Sequence, residues 1–290
     1  MSSEVKKCLR CGENYEPQHW DALGMHLLRG NGNCPQCWAV IGVEKEAKDK
    51  VERQAEINTI RHLCLISSGI PHKFLSQGFS SFDKGWQDKA MAYCKKYADD
   101  FPIGERPFGY PSLFLWAEGT ASNPKGNGTG KSHLSCAIAH RIIERWDGEG
   151  IDYDYPIGAN DRTRGIICPR IYFVSEPDLF RQIQATYSFN REEGQQRDSE
   201  DDIIRKLTYC DLLILDDVGK ERRPNPDFIQ RTLFGLIDGR YKLELPMILT
   251  VNYNADGLRA HLEDASFDRF FEMIGGKSVN MDGESYRRKK

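Results

Sequence analysis

Gly126-Asn127-Gly128-Thr129-Gly130-Lys131-Ser132 is the stretch on which the reading of this chain turns. It follows an apolar run, Leu113 to Trp116, and opens a segment with helical periodicity, so its backbone amides and the helix N-terminus would be aimed at phosphate oxygens. Lys131 adds a point charge suited to β- and γ-phosphates, and Ser132 adds a hydroxyl suited to Mg²⁺. Farther along lies Asp211-Leu212-Leu213-Ile214-Leu215-Asp216-Asp217, an apolar strand ending in two carboxylates. Such a strand end can hold a metal and polarise a water. A glycine-rich turn alone is often a flexible loop, and an apolar strand ending in acids is often only a buried strand with a solvated end. Their order and setting together point to a nucleotide site. One departure stands out: the usual pattern has glycine six residues before the lysine, and Lys125 is there instead. Gly126 is expected to take over the turn, with Glu118 to Lys125 as an inserted loop.

The 290 residues suffice for one sizeable α/β core and a small appended module. The net charge of -3 argues against wholesale wrapping of nucleic acid. DNA contact is then confined to local patches such as Lys220, Arg222 and Arg223, or the run from Arg287 to Lys290, each of which could equally be solvated surface. No apolar stretch approaches the roughly 20 residues of a membrane span, and the N-terminus lacks a signal-peptide core, so the expected location is the cytoplasm and no membrane partner is expected.

Of the nine cysteines, Cys8, Cys11, Cys34 and Cys37 form two Cys-x-x-Cys knuckles. That spacing suits a structural four-thiolate Zn²⁺ site, with redox disulfides or chance as the alternatives. A metal there would supply folding energy that a short segment poor in large aliphatics lacks. His19 and His26 lie between the knuckles as possible substitute ligands, and the other five cysteines read as small buried hydrophobes.

A connecting helix is expected from Val43 to about Ile66 and another from Gln87 to Phe101, dividing the chain into a zinc-binding module at 1–42, a helical linker at 43–68 and a catalytic domain at 69–290. Thereafter strands and helices alternate, which indicates a central parallel β-sheet flanked by helices. Strands are expected at Ser112 to Ala117, Ile171 to Ser175, Leu212 to Asp216, Pro246 to Asn252 and Ser278 to Met281. The segment Asp147 to Pro169 reads as an insertion and Ser188 to Arg197 as a polar loop.

From Gly69 onward the sequence resembles the AAA+ helicase loaders of the DnaC and DnaI type, with IstB-like transposition ATPases as close relatives. The resemblance is carried by Gly69-Ile70-Pro71 with Phe74, Phe79 and Phe82, by Gly128 to Leu134, by Val174 to Leu179, by Cys210 to Glu221, and by Gly283-Glu284-Ser285-Tyr286-Arg287. It implies an α/β AAA+ P-loop NTPase fold that uses ATP and Mg²⁺. The phosphate loop would run from Gly126 through Asn127, Gly128, Thr129, Gly130, Lys131 and Ser132 to His133. By resemblance, Asp216 holds Mg²⁺ with Ser132, Asp217 polarises the attacking water, and Asn252 is the sensor-1 residue. Arg269 resembles the arginine finger that reaches a neighbouring subunit's nucleotide, and Arg287 the sensor-2 arginine; a surface ion pair is the plain alternative for each. Tyr187 and Phe228 are similar to DNA-facing aromatics but could equally be helix-end core residues.

The function implied is ATP-dependent loading of a DnaB-type replicative ring helicase onto single-stranded DNA. The N-terminal module would grip the helicase, or bind DNA itself, and the core would self-assemble through the finger. Two rivals remain: a transposition ATPase acting on duplex DNA, and an ATP-binding adaptor with little turnover.

Overall fold

The computed structural model describes residues 5–17, 19–22, 25–28, 31–83, 87–148, 168–187, 198–220 and 226–288, with backbone alone for those between 19 and 28. The chain forms two compact units, Met1–Thr59 and Ile60–Lys290. In the first, β1 (Lys6–Lys7) pairs antiparallel with β2 (Asn14–Tyr15), and β3 (His19–Ala22) with β4 (Met25–Leu28). Neither hairpin was expected from the sequence, because two- and four-residue strands leave no periodicity to read. Helix α1 (Pro35–Ser67) begins well before the expected Val43. Proline is favoured at a first helical position, and Pro35 follows Cys34, whose carbonyl accepts from Trp38 N at 2.9 Å. The second knuckle is therefore the N-terminus of this helix. Among the described residues α1 buries only Ile57.

In the second unit α2 (Asp88–Asp100) precedes β5 (Leu113–Trp116) and α3 (Lys131–Arg145). Then come β6 (Ile171–Ser175), α4 (Glu176–Tyr187), α5 (Glu200–Tyr209), β7 (Leu212–Val218), α6 (Pro226–Lys242) and β8 (Met247–Val251). The chain finishes with α7 (Ala255–Leu262), α8 (Asp264–Ile274) and β9 (Ser278–Asn280). The five strands form one parallel sheet in the order β6-β7-β8-β5-β9. Its strands are nearly continuous apolar runs, as a sheet covered on both faces requires. Alternate residues separate the faces: Phe114, Leu213, Leu215, Leu249 and Val251 join a buried cluster with residues of α4 to α8. Leu113, Leu115, Leu212, Ile214 and Ile248 are equally buried, and on their side α3 packs on β7 and β8 and against α2.

Local signals set several ends. Ser199 and Asp202 form a reciprocal capping box at α5, and Asn254 caps α7 by accepting from Gly257 N at 3.0 Å. The expected strands of this unit and the helix expected from Gln87 to Phe101 lie where the sequence placed them, to within a few residues. The exception of consequence is β7, which continues beyond Asp216 to Val218 with an irregular register against β8 between Leu215 and Val218. Among the described residues no helix is long and apolar enough to cross a membrane.

Candidate functional site

The phosphate-loop sequence lies between the end of β5 and the first turn of α3. Gly126 adopts φ 57, and a Cβ there would meet the Ala117 carbonyl oxygen at 2.6 Å. Gly126 thus makes the close turn that Lys125 could not. The Lys131 ammonium donates to Gly126 O at 2.9 Å and to Thr129 Oγ1 at 3.2 Å. Lys131 is only 5% exposed, and burial draws its pKa down to about 8 against the opposing pull of Asp217. A buried cation needs anionic or strongly polar partners, and phosphate oxygens would meet that need.

Ser132 Oγ donates to the Asp216 carboxylate, 2.9 Å from Oδ1 and 2.8 Å from Oδ2. Burial, and then the neighbouring charge of Asp217, raises the Asp216 pKa to about 6. A bound cation would reverse that effect, and a hydroxyl beside a carboxylate is the hard-oxygen donor set that Mg²⁺ prefers. Asp217 has φ 56, an uncommon value for a residue with a side chain, within the irregular stretch of β7. Such irregularities re-aim side chains, and here consecutive carboxylates both serve one cleft.

Thr250 supports both acids and was missed by sequence reasoning. Its Oγ1 donates to Asp216 Oδ1 at 2.6 Å and accepts from Asp217 N at 2.9 Å. The only signal was a threonine in the middle of the apolar strand Met247 to Val251. Asn252 Nδ2 reaches Asp217 Oδ1 at 3.5 Å, and the Lys220 ammonium lies 2.6 Å from the same oxygen. The turn after Asp217 is held from behind by Glu176, which is fully buried. Glu176 Oε2 accepts from Gly219 N at 2.6 Å, and its Oε1 is 2.5 Å from His261 Nε2 on α7.

A cavity of about 430 Å³ collects much of the expected set. Asn127, Gly128, Thr129, Gly130, Lys131, Ser132, His133, Asp217, Lys220, Asn252 and Arg287 line it. Lys73, Phe74, Gln77 and Phe82 form an additional wall beside the loop, and His133 packs edge-on against Phe82 at 5.1 Å. Asp216 touches this cleft through Ser132.

Arg269 is elsewhere. It is on α8, with Nε 2.9 Å from Asp238 Oδ1 and Nη1 donating to Ala265 O at 2.8 Å, and its guanidinium lies over the Phe234 ring. Tyr187, 61% exposed at the end of α4, hydrogen-bonds Glu200. Phe228 is packed edge-on against Phe180 and the core cluster, the helix-end core setting held open for it above. Arg222 and Arg223 lie outside the described residues, as do 149–167 of the insertion and 188–197 of the polar loop.

In the first unit Cys8, Cys11, Cys34 and Cys37 bring their sulfurs within 4.8 Å of one another. Sulfurs around a tetrahedral Zn²⁺ at 2.3 Å would be about 3.8 Å apart, and Cys11 and Cys34 Sγ lie at 3.9 Å. Cys34 N donates to Cys8 Sγ at 3.2 Å and Cys37 N to Cys34 Sγ at 3.5 Å, the amide support that a thiolate accepts. This donor set fits zinc. His19 and His26 side chains lie outside the described set. Of the other cysteines, Cys94, Cys136, Cys168 and Cys210 are buried as expected, whereas Cys64 on the exposed α1 is only half-buried.

A parallel sheet whose phosphate-loop strand β5 lies between β8 and β9, with the acid-bearing β7 on the far side of β8, is a P-loop NTPase fold. Among known proteins, the chain is 25% identical over 244 residues to the uncharacterized protein YdaV of Escherichia coli (strain K12), spanning 83% of this chain and 79% of that one. The crystal structure of the DnaC helicase loader is similar with a TM-score of 0.49 and 18% identity, covering 73% of this chain and 99% of that chain. The structure of DnaI gives a TM-score of 0.47 and 20% identity over 73% and 93% of the two chains. No family model matches.

Proposed function

We propose that this protein is an ATP-dependent loader of a replicative ring helicase onto single-stranded DNA in replication initiation. The observation that carries the reading is the convergence of Lys131, Ser132, Asp217, Asn252 and Arg287 on one cleft of an AAA+ sheet. The motif resemblance to helicase loaders supplies the choice of partner.

In this reading the loop amides and Lys131 bind the β- and γ-phosphates, and Arg287, beside Gly128, takes a γ-phosphate oxygen. Ser132 and Asp216 would hold Mg²⁺, which would supply positive charge to offset the negative charge developing on the transferred phosphoryl group. Asp217 accepts a hydrogen bond from the attacking water, with Asn252 fixing its carboxylate. The shorter reach of Asp compared with Glu suits slow turnover. Arg269, outside its own cleft, acts in trans on a neighbouring copy, which makes hydrolysis depend on assembly. The left-handed turn at Gly126 supports phosphate binding despite Lys125, and turnover is what separates the loader from the ATP-binding adaptor. Lys220 faces the nucleotide cleft and pairs with Asp217, so of the DNA candidates among the described residues Tyr187 is the more exposed of the two aromatics. The Cys8, Cys11, Cys34 and Cys37 module holds Zn²⁺, and with α1 forms the grip on the helicase.

The test is to mix the purified protein with a bacterial ring helicase, ATP and circular single-stranded DNA. We expect a stable complex by light scattering, helicase retained on the circle, and ATP hydrolysis stimulated by single-stranded DNA. No complex, together with hydrolysis stimulated only by duplex DNA, would overturn the reading in favour of a transposition ATPase.

A further inference from the structure

We infer that the segment inserted ahead of the phosphate loop contains a positioning residue, Asn123, which ties that loop to the C-terminal segment carrying Arg287. Two walls of the phosphate site are thereby set as one piece. The inference rests on the ATP-binding reading above.

The insertion closes on itself. Thr120 N donates to Asn123 O at 3.0 Å, while Asn123 N donates to Thr120 O at 3.1 Å, and Gly126 N also reaches Asn123 O at 3.0 Å. With its backbone fixed in this way, Asn123 is 1% exposed, and its side-chain amide faces two carbonyls from distant parts of the chain. Nδ2 donates to Asn127 O in the phosphate loop at 2.9 Å and to Gly283 O in the C-terminal segment at 3.0 Å. One NH₂ group has two hydrogens, so both carbonyls are satisfied by a single atom. Aspartate would present only acceptors there, and alanine would leave two carbonyls without this donor.

Neighbouring contacts show what the bridge aligns. Glu118 N donates to Asp282 Oδ1 at 2.5 Å, and Tyr286 N donates to Gly128 O at 3.0 Å. Gly128 adopts φ 74, the Ser285 hydroxyl occupies the space a Cβ would fill, and Arg287 Cγ would lie 3.4 Å from that Cβ. Asn127 and Arg287 both line the cleft, and Asn123 joins the backbone of the first to the segment that carries the second. The insertion is therefore a splint for the loop and not a spacer.

A double-mutant cycle on the full-length protein tests this, with binding of a fluorescent ATP analogue as the readout. We expect Asn123→Ala to weaken binding about tenfold in the native background and less than about twofold in an Arg287→Ala background. Equal weakening in both backgrounds, or none in either, would overturn the inference, because a merely structural loss would add independently. Absence of saturable binding by the native protein would instead overturn the ATP-binding reading beneath it. Asn123→Ser, which is too short to reach both carbonyls, is the second variant if the alanine protein does not fold, and is judged by the same cycle.

Discussion

The two units reach an ordered state by different means. In the Ile60–Lys290 unit, the strand interiors and the helices around them bury more than forty apolar side chains, most with no exposure at all. In the Met1–Thr59 unit, the buried apolar residues among those described are Cys8, Cys34 and Ile57, and two of the three are candidate metal ligands. Ordering a backbone costs about 1–2 kcal/mol per residue, which the larger unit offsets by burial, whereas the described residues of the smaller unit bury little apolar surface. A structural Zn²⁺ contributes on the order of 10–16 kcal/mol in small domains, and the four clustered sulfurs are a donor set that fits one.

The largest effect should follow from removing one of them. Cys34→Ser, or chelation, is expected to abolish amide-exchange protection in residues 5–17 and 31–37 while the unfolding transition of the larger unit stays where it was. A coincident shift of both transitions would break the comparison. Next in size is Phe114→Ala, in the middle of the sheet, which should destabilise the larger unit by about 3–5 kcal/mol in urea titrations and leave zinc affinity unchanged. Smaller again is Thr250→Val, which keeps the volume but removes the hydroxyl shared by Asp216 and Asp217. We expect a loss of about 1–3 kcal/mol in stability or transition-state binding. Specifically, kcat for ATP should fall about tenfold with little change in ATP affinity. An unchanged kcat would show that the acids are held by the β7 backbone alone.

The two units also differed in how far they could be read from residues. Continuous apolar runs such as Leu212 to Leu215 and Met247 to Val251, alternating with segments of helical periodicity, mark buried parallel strands, and the sheet was legible from them. The loop from Gly126 to Ser132 was legible for the same reason, since its chemistry is local in sequence. Thr250, Glu176, His261 and Asn123 were not, because each acts on a partner from another element and leaves no spacing to find. Asn123 is the sharpest case: the sequence places it in an inserted loop, and its partner Gly283 lies 160 residues away. In the smaller unit the cysteine spacing was legible, but the hairpins and the early start of α1 were not. Phe228 shows the limit of a motif position, since an aromatic at a helix end reads the same whether or not one edge of its ring packs on a neighbour such as Phe180.

The dependence of the phosphate loop on residues 281–288 also orders events in time. Ribosomes add about 5–20 residues per second, so the 160 residues between Asn123 and Gly283 correspond to roughly ten to thirty seconds of synthesis. During that interval β5 and the glycine loop already exist, but β9, Arg287 and the acceptor at Gly283 do not. A nascent copy therefore holds the glycine loop for that interval before the acceptor that Asn123 bridges to has been made.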